Sequence, residues 1–260
     1  MQRRASADIY IVGLGVFELD QLTIETLEVL KKVNSVYHVT RRHLELCAIN
    51  PKTYDLDSLF ERRRKRTDIY YRIAGFVVNS AQDKAPVAFA ADGNPMFYND
   101  ISWNIAAIAK KRRLRVEALP AVSCIDVLPM QLGFEPADLG LQIFEATQLV
   151  LYEFPINPSL STLILQIGYL FVRLTSPPSR WRRGAFAPLV FHLRKFFPEN
   201  HPAVFIESAS SRLKPTVAFW SEVGEIDKYR DEITPSMTLY LPRAGVPKFD
   251  AARWNQLDLG

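Results

Sequence analysis

Short apolar runs alternate with amphipathic stretches through the first half of the chain. "IYIVG" (9–13), "SVYHV" (35–39), "APVAFAA" (85–91) and "RVEAL" (115–119) are rich in β-branched, aromatic or small apolar residues, which predicts strands. Between the first two, "TIETLEVLKKV" (23–33) places apolar residues at 24, 27, 30 and 33, the period of a helix, with Thr23 as its cap and Thr26 where a glutamate is usual. A second helix is expected from Asp68, with Ile69, Ile73, Phe76 and Val77 on one face. A third covers 100–113, and its basic C-terminal end suits the helix dipole. Strands and helices joined by short links predict a parallel sheet with helices on both faces. In such sheets ligands sit beyond the carboxyl ends of the strands, where the turns 13–17, 92–97 and 120–124 fall.

The second half is patterned differently. "LQIFEA" (141–146), "TLILQIG" (162–168), "AVFIES" (203–208), "TVAFWSEV" (216–223) and "MTLYLP" (237–242) read as strands with fewer helices between them, the clear one being "APLVFHLRKFF" (187–197). A mixed, partly antiparallel sheet is expected there. The expected division is an N-terminal α/β domain over 1–122, a C-terminal mixed α/β domain over 123–243 and a tail over 244–260. The most apolar run, 160–172, is shorter than the ~20 residues a membrane helix needs, so no membrane role is expected.

Composition narrows the classes further. A chain of 260 residues with 48% hydrophobic and 23% charged residues can bury two cores and has no disordered character. The net charge of +4 gathers in "ERRRKR" (61–66), "KKRRLR" (110–115) and "RWRRG" (180–184). No RNA-binding motif or aromatic platform accompanies these runs, so they read as solvated faces and no nucleic acid is expected as partner. Cys47 and Cys124 are expected to be reduced thiols of a cytoplasmic protein. His38, His43, His192 and His201 are scattered without ligand spacing, and no metal is expected. The first residues hold no apolar stretch of the secretory kind.

The glycine turn after the first strand carries the first chemical signal. Gly13 and Gly15 fit the opening of a dinucleotide fingerprint, but its third glycine position holds Glu18. That glycine permits close helix–strand packing, so a nicotinamide dinucleotide is disfavoured. Taken alone, the turn is equally a tight strand-to-helix link with no ligand.

The surrounding residues add more. "VGLGVFELDQLTIETLEVLKKVNSVY" (12–37), "ADGNPMF" (91–97) and "PAVSC" (120–124, with Ala121 where glycine is usual) follow one another as three loops. In that order they resemble the tetrapyrrole methylase superfamily, whose members use S-adenosylmethionine. Within it the chain resembles the borosin-type peptide backbone α-N-methyltransferases, through "RTDIYYRIA" (66–74), "GNPMF" (93–97), "FEATQ" (144–148), "LQIG" (165–168), "HPAVFIESA" (201–209) and "MTLYLPR" (237–243). The resemblance implies a two-domain α/β fold with the methyl donor in the cleft between domains. By position it assigns that donor Gly13, Val16, Asp92, Asn94, Phe97, Ser123, Gln166, Ala209 and Thr238. It also implies a homodimer.

The same resemblance assigns catalysis to Arg66 and Tyr70, four apart and so on one face of a helix. A backbone amide nitrogen is a poor nucleophile because its lone pair is delocalised onto the carbonyl. An adjacent guanidinium favours tyrosinate, so Tyr70 serves as base while Arg66 holds charge on the amide oxygen. Tyr71 is the adjacent alternative, and an ordinary surface helix is the bland one. The branch's upstream tyrosine has its counterpart in Phe60, and its Tyr-Gly-His-Pro is here Asp92-Gly93-Asn94-Pro95. The final residues, "AGVPKFDAARWNQLDLG" (244–260), are too few and too polar to serve as a hydrophobic substrate segment, so the expected substrate is a separate precursor peptide. Methylation of a small molecule or tetrapyrrole, and a non-catalytic cofactor-binding role, are the alternatives.

Overall fold

The computed structural model describes residues 7–60, 64–174 and 176–256. The chain forms two compact units: residues 1–132 with 172–177 and 208–216, and residues 133–171, 178–207 and 217–260. Two short segments of the second half thus belong to the first unit.

The first unit holds β1 (Ile9–Gly13), α1 (Ile24–Lys32), β2 (Ser35–His38), α2 (His43–Ile49), β3 (Thr53–Asp55), α3 (Arg66–Lys84), β4 (Val87–Ala91), α4 (Asp100–Lys111), β5 (Val116–Leu119) and α5 (Cys124–Leu132). Its strands are all parallel, in the order β3-β2-β4-β1-β5. Side chains alternate across the sheet, so its two faces carry different cores. Ile9, Ile11, Val87 and Phe89 pack with Ile69, Ile73 and Val77 of α3 and Ile101 and Ile105 of α4. Val12, Val36, Ala88 and Ala90 pack on the other face with Leu30 of α1 and Leu46 of α2. Burial on both faces is why these strands read as continuous apolar runs.

The Thr23 cap is present, its side chain accepting from the Thr26 amide. Helix α3 begins at Arg66, two residues earlier than periodicity indicates. No side chain caps it; the Arg66 amide donates instead to the Arg173 carbonyl at 3.1 Å, a long-range contact that local pattern does not reveal. Phe76, placed on the buried face by periodicity, is 44% exposed and meets Tyr37 edge-on.

The second unit holds α6 (Pro136–Leu139), β6 (Leu141–Glu145), α7 (Ala146–Leu151), β7 (Ser161–Leu165), α8 (Ala187–Leu193), β8 (Pro202–Glu207), β9 (Val217–Glu222), β10 (Thr238–Leu241) and α9 (Ala251–Gln256). Its sheet runs β6-β7-β10-β8-β9; β6 and β7 are parallel and the other pairs antiparallel. Ile164, Phe205 and Leu239 bury one face of this sheet against Leu149 of α7 and Leu189 and Leu193 of α8. Helix α8 ends at Leu193, short of the expected 197, because the Phe196 amide bonds to the Leu193 carbonyl at 2.9 Å in a tightened turn before Pro198.

Candidate functional site

Three loops meet at the carboxyl ends of β1, β4 and β5. Gly13 ends β1 where no side chain fits: a Cβ there would lie 2.5 Å from the Gly93 carbonyl oxygen, 2.6 Å from Ala121 Cβ and 2.8 Å from Pro95 Cδ. The Gly93 amide donates to the Gly15 carbonyl at 2.9 Å, forming a one-pair bridge between the first two loops. Gly15 has φ +77°, and Gln21 closes its turn by accepting from the Val16 amide at 2.8 Å and the Phe17 amide at 3.1 Å.

Around Gly93 the packing opens. A Cβ built there would find only Val16 Cγ1 at 3.8 Å and Ser123 Cα at 3.9 Å. Val16, Gly93 and Ser123 therefore border one space, bringing together residues that lie far apart in the sequence. Asn94 accepts from the Met96 amide at 3.0 Å, and the Phe97 amide donates to the Asn94 carbonyl at 3.1 Å. Ser123 donates its hydroxyl to Asp126 at 2.7 Å, so its side chain is engaged at the start of α5. Ala209 lies in the returning segment 208–216, its amide on the Thr216 hydroxyl at 3.2 Å. That segment holds the first loop: the Glu18 amide donates to the Ser210 carbonyl at 3.0 Å, and Arg212 pairs with Asp20 at 3.0 Å.

Asp92 is fixed from the loop after β2. One of its oxygens, Oδ1, accepts from the Thr40 hydroxyl at 2.9 Å and faces Arg42 Nε at 3.3 Å. The remaining two candidates belong to the second unit. Gln166 follows β7 with φ +60°, and Thr238 opens β10; the Leu239–Ile164 register puts Thr238 opposite Leu165, so the two candidates lie at one end of that sheet, one position out of step.

On α3, Arg66 donates from Nη2 to the Val172 carbonyl at 2.9 Å. Tyr70 is half-buried with its ring edge-on to Phe60, centroids 6.2 Å apart. Tyr71 is exposed and lines a groove of about 710 Å³ between the first turns of α3 and α4, with Trp103, Arg64, Arg72, Asp68 and Asp100. The indole of Trp103 is anchored to the Met96 carbonyl at 3.0 Å. The two neighbouring tyrosines thus have different surroundings. Residues 61–63 of the basic run lie outside the described residues.

The histidines are not all scattered, as their spacing in the sequence suggests. His38 Nε2 lies 3.0 Å from His43 Nδ1, and Cys47 Sγ lies 3.5 Å from His43 Nε2. The His43–Cys47 spacing of four on a helix was the available signal, hidden by the shortness of α2. Burial holds His38 below the ordinary histidine range, and burial followed by the nearby Asp55 charge raises Asp57. Among the described residues no three or more His, Cys, Asp and Glu side chains are placed to hold a metal ion. Both cysteines are free thiols, and no described helix is long and apolar enough to cross a membrane.

A profile for tetrapyrrole (corrin/porphyrin) methylases matches residues 8–218. A type I borosin methyltransferase/cyclic peptide precursor of Serendipita vermifera subsp. bescii is 26% identical over 240 residues, covering 89% of this chain and 58% of that protein. A type II counterpart from Phlebiopsis gigantea is 27% identical over 246 residues, covering 91% of this chain and 43% of that protein. The chain thus spans about half the length of these relatives. The fold matches uroporphyrin-III C-methyltransferase of Thermus thermophilus, solved with S-adenosylhomocysteine, at TM-score 0.60 and 17% identity, over 90% of this chain and 96% of that one. With the profile covering most of its length, the chain belongs to the tetrapyrrole methylase family of S-adenosylmethionine-dependent methyltransferases.

Proposed function

We infer that this protein transfers methyl groups to backbone amide nitrogens of a precursor peptide supplied as a separate chain. The observation that carries the reading is the Arg66–Tyr70 pair, four apart on the first turns of α3, in a chain whose relatives include borosin precursor methyltransferases. In this reading Gly13, Val16, Asp92, Asn94, Phe97, Ser123 and Ala209 hold the donor in the first unit, and Gln166 and Thr238 are assigned to it by position. The space bordered by Val16, Gly93 and Ser123 is a cradle that a side chain at 93 would fill, which fits a ligand held by main chain. S-adenosylmethionine supplies an electrophilic methyl group.

The protein's task is then to make an amide nitrogen nucleophilic. Tyr70, acting as the phenolate, takes the N–H proton and becomes the phenol, and the negative charge left on the amide passes to its oxygen. Arg66 meets that oxygen with its guanidinium, whose planar fork also reaches main-chain carbonyls such as Val172. Half-burial of Tyr70 against Phe60 keeps its ring in one place and limits the water around it. The working form in this reading is a homodimer; edge strand β9, with Val217 and Trp220 exposed, leaves an apolar edge available, and light scattering at micromolar concentration tests the dimer.

The deciding experiment pairs mass spectrometry with calorimetry. Tyr70→Phe and Arg66→Lys should bind S-adenosylmethionine as the wild type does, since neither lies in the three loops. Both should lower peptide methylation by about 10²–10⁴-fold, the range for loss of a general base. Wild-type rates in both variants overturn the assignment of base and imidate stabiliser. Methylation of the protein itself without added peptide overturns the separate-chain reading.

A further inference from the structure

Asp92 is presented in an unusual way. Its carboxylate is 55% exposed, yet one oxygen is fully used: Oδ1 takes the Thr40 hydroxyl and faces Arg42 Nε. Among the described residues Oδ2 accepts no hydrogen bond, so the braced, half-exposed carboxylate keeps one acceptor uncommitted. The brace comes from the loop that follows the neighbouring strand. β2 and β4 pair with His38 opposite Ala90, and the same offset of 52 sets Thr40 opposite Asp92. Thr40 is itself 5% exposed and gives its amide to His38 Nδ1 at 3.3 Å.

Arg42 shows that this arrangement has a cost. Its side chain is only 11% exposed, and its Nη1 is buried with no hydrogen-bond partner among the described residues. A guanidinium turned to solvent would satisfy every donor. Here it is drawn inward, leaving one donor unmet while Nε faces Asp92. A group held against its own solvation points to a positional role rather than a stabilising one.

We propose that Thr40 and Arg42 are positioning residues that aim Asp92 Oδ2 at the ammonium group of the methionine part of S-adenosylmethionine. This rests on the cofactor reading above and adds how the ammonium is recognised: by one oriented carboxylate oxygen, held by two residues of a loop that carries no glycine signature. The opposite charges of ammonium and carboxylate make the bond a charge-assisted one.

The test is titration calorimetry with two ligands, S-adenosylhomocysteine and its analogue lacking the amino group. Asp92→Asn should weaken S-adenosylhomocysteine by about 10- to 100-fold and leave the deamino analogue unchanged. Thr40→Val and Arg42→Met should each weaken S-adenosylhomocysteine by about 3- to 10-fold, again sparing the analogue. Arg42→Met should also melt no lower than the wild type, because it removes the unmet donor. Equal weakening of both ligands in the Thr40 and Arg42 variants, or no weakening of either, overturns the proposal while leaving the cofactor reading intact. Wild-type protein that binds neither ligand overturns both.

Discussion

Gly13→Ala places a methyl group where the three loops of the first unit leave no room for one. The added Cβ meets the Gly93 carbonyl oxygen at 2.5 Å, Ala121 Cβ at 2.6 Å and Pro95 Cδ at 2.8 Å. Carbon atoms rest at about 3.5–4.0 Å, so the Ala121 contact is short by roughly 1 Å. The obstacles sit on two loops, one as main chain and one as a proline ring, so no side-chain rotation relieves them. Overpacking of this kind costs about 1–3 kcal/mol, and three simultaneous contacts place Gly13→Ala near the top, ~3 kcal/mol. For a chain of this length that lowers the apparent Tm by about 6–12 °C. Differential scanning calorimetry measures it. Pairing with Ala121→Gly removes the contact at 2.6 Å and leaves the others, so the double variant should recover about 1 kcal/mol beyond additivity. A Gly13→Ala protein melting within about 2 °C of the wild type, or a double variant that shows no coupling, refutes the close meeting of the three loops.

Gln21→Leu keeps the volume but strips the acceptor from the Val16 and Phe17 amides, and should cost about 1–2 kcal/mol with faster hydrogen exchange at those two amides by NMR. Burial lowers the folded-state pKa of His38 below its unfolded value, so the unfolded chain binds more protons as pH falls through the mid-6 range. Stability should therefore be full above about pH 7 and decline toward pH 5, and His38→Asn should flatten that slope in melting curves. Burial pushes the Cys124 thiol up, so it should resist iodoacetamide at pH 7.5 until urea unfolds the chain, as peptide mass mapping will show.

Much of the first unit was legible because its signals are local. Strands buried on both faces read as apolar runs, Thr23 announces α1, and glycine or proline marks each loop that meets at the carboxyl edge. The segment from His43 to Asp55 was not legible: a helix of seven residues and a strand of three carry too little periodicity to register. That gap also hid the approach of His43 to His38 and Cys47. The Thr40–Asp92 contact spans 52 residues and exists only because β2 lies beside β4, a fact of strand order rather than of pattern. Gln166 and Thr238 are brought to one end of the second sheet by antiparallel register between strands more than 70 residues apart. The start of α3 likewise depends on a carbonyl at Arg173, which no capping rule could supply.

The returning segments 172–177 and 208–216 give the first unit a late completion date. As the chain leaves the ribosome, its first 132 residues can pair all five parallel strands. Yet the first glycine loop still lacks Ser210 for the Glu18 amide and Arg212 for Asp20, and Arg66 still lacks the Val172 carbonyl. The nascent unit has its scaffold long before its loops are tied. An excised 1–132 fragment should therefore hold the sheet but bind the methyl donor poorly, and donor-binding competence during synthesis should arise only after residue 216 has emerged.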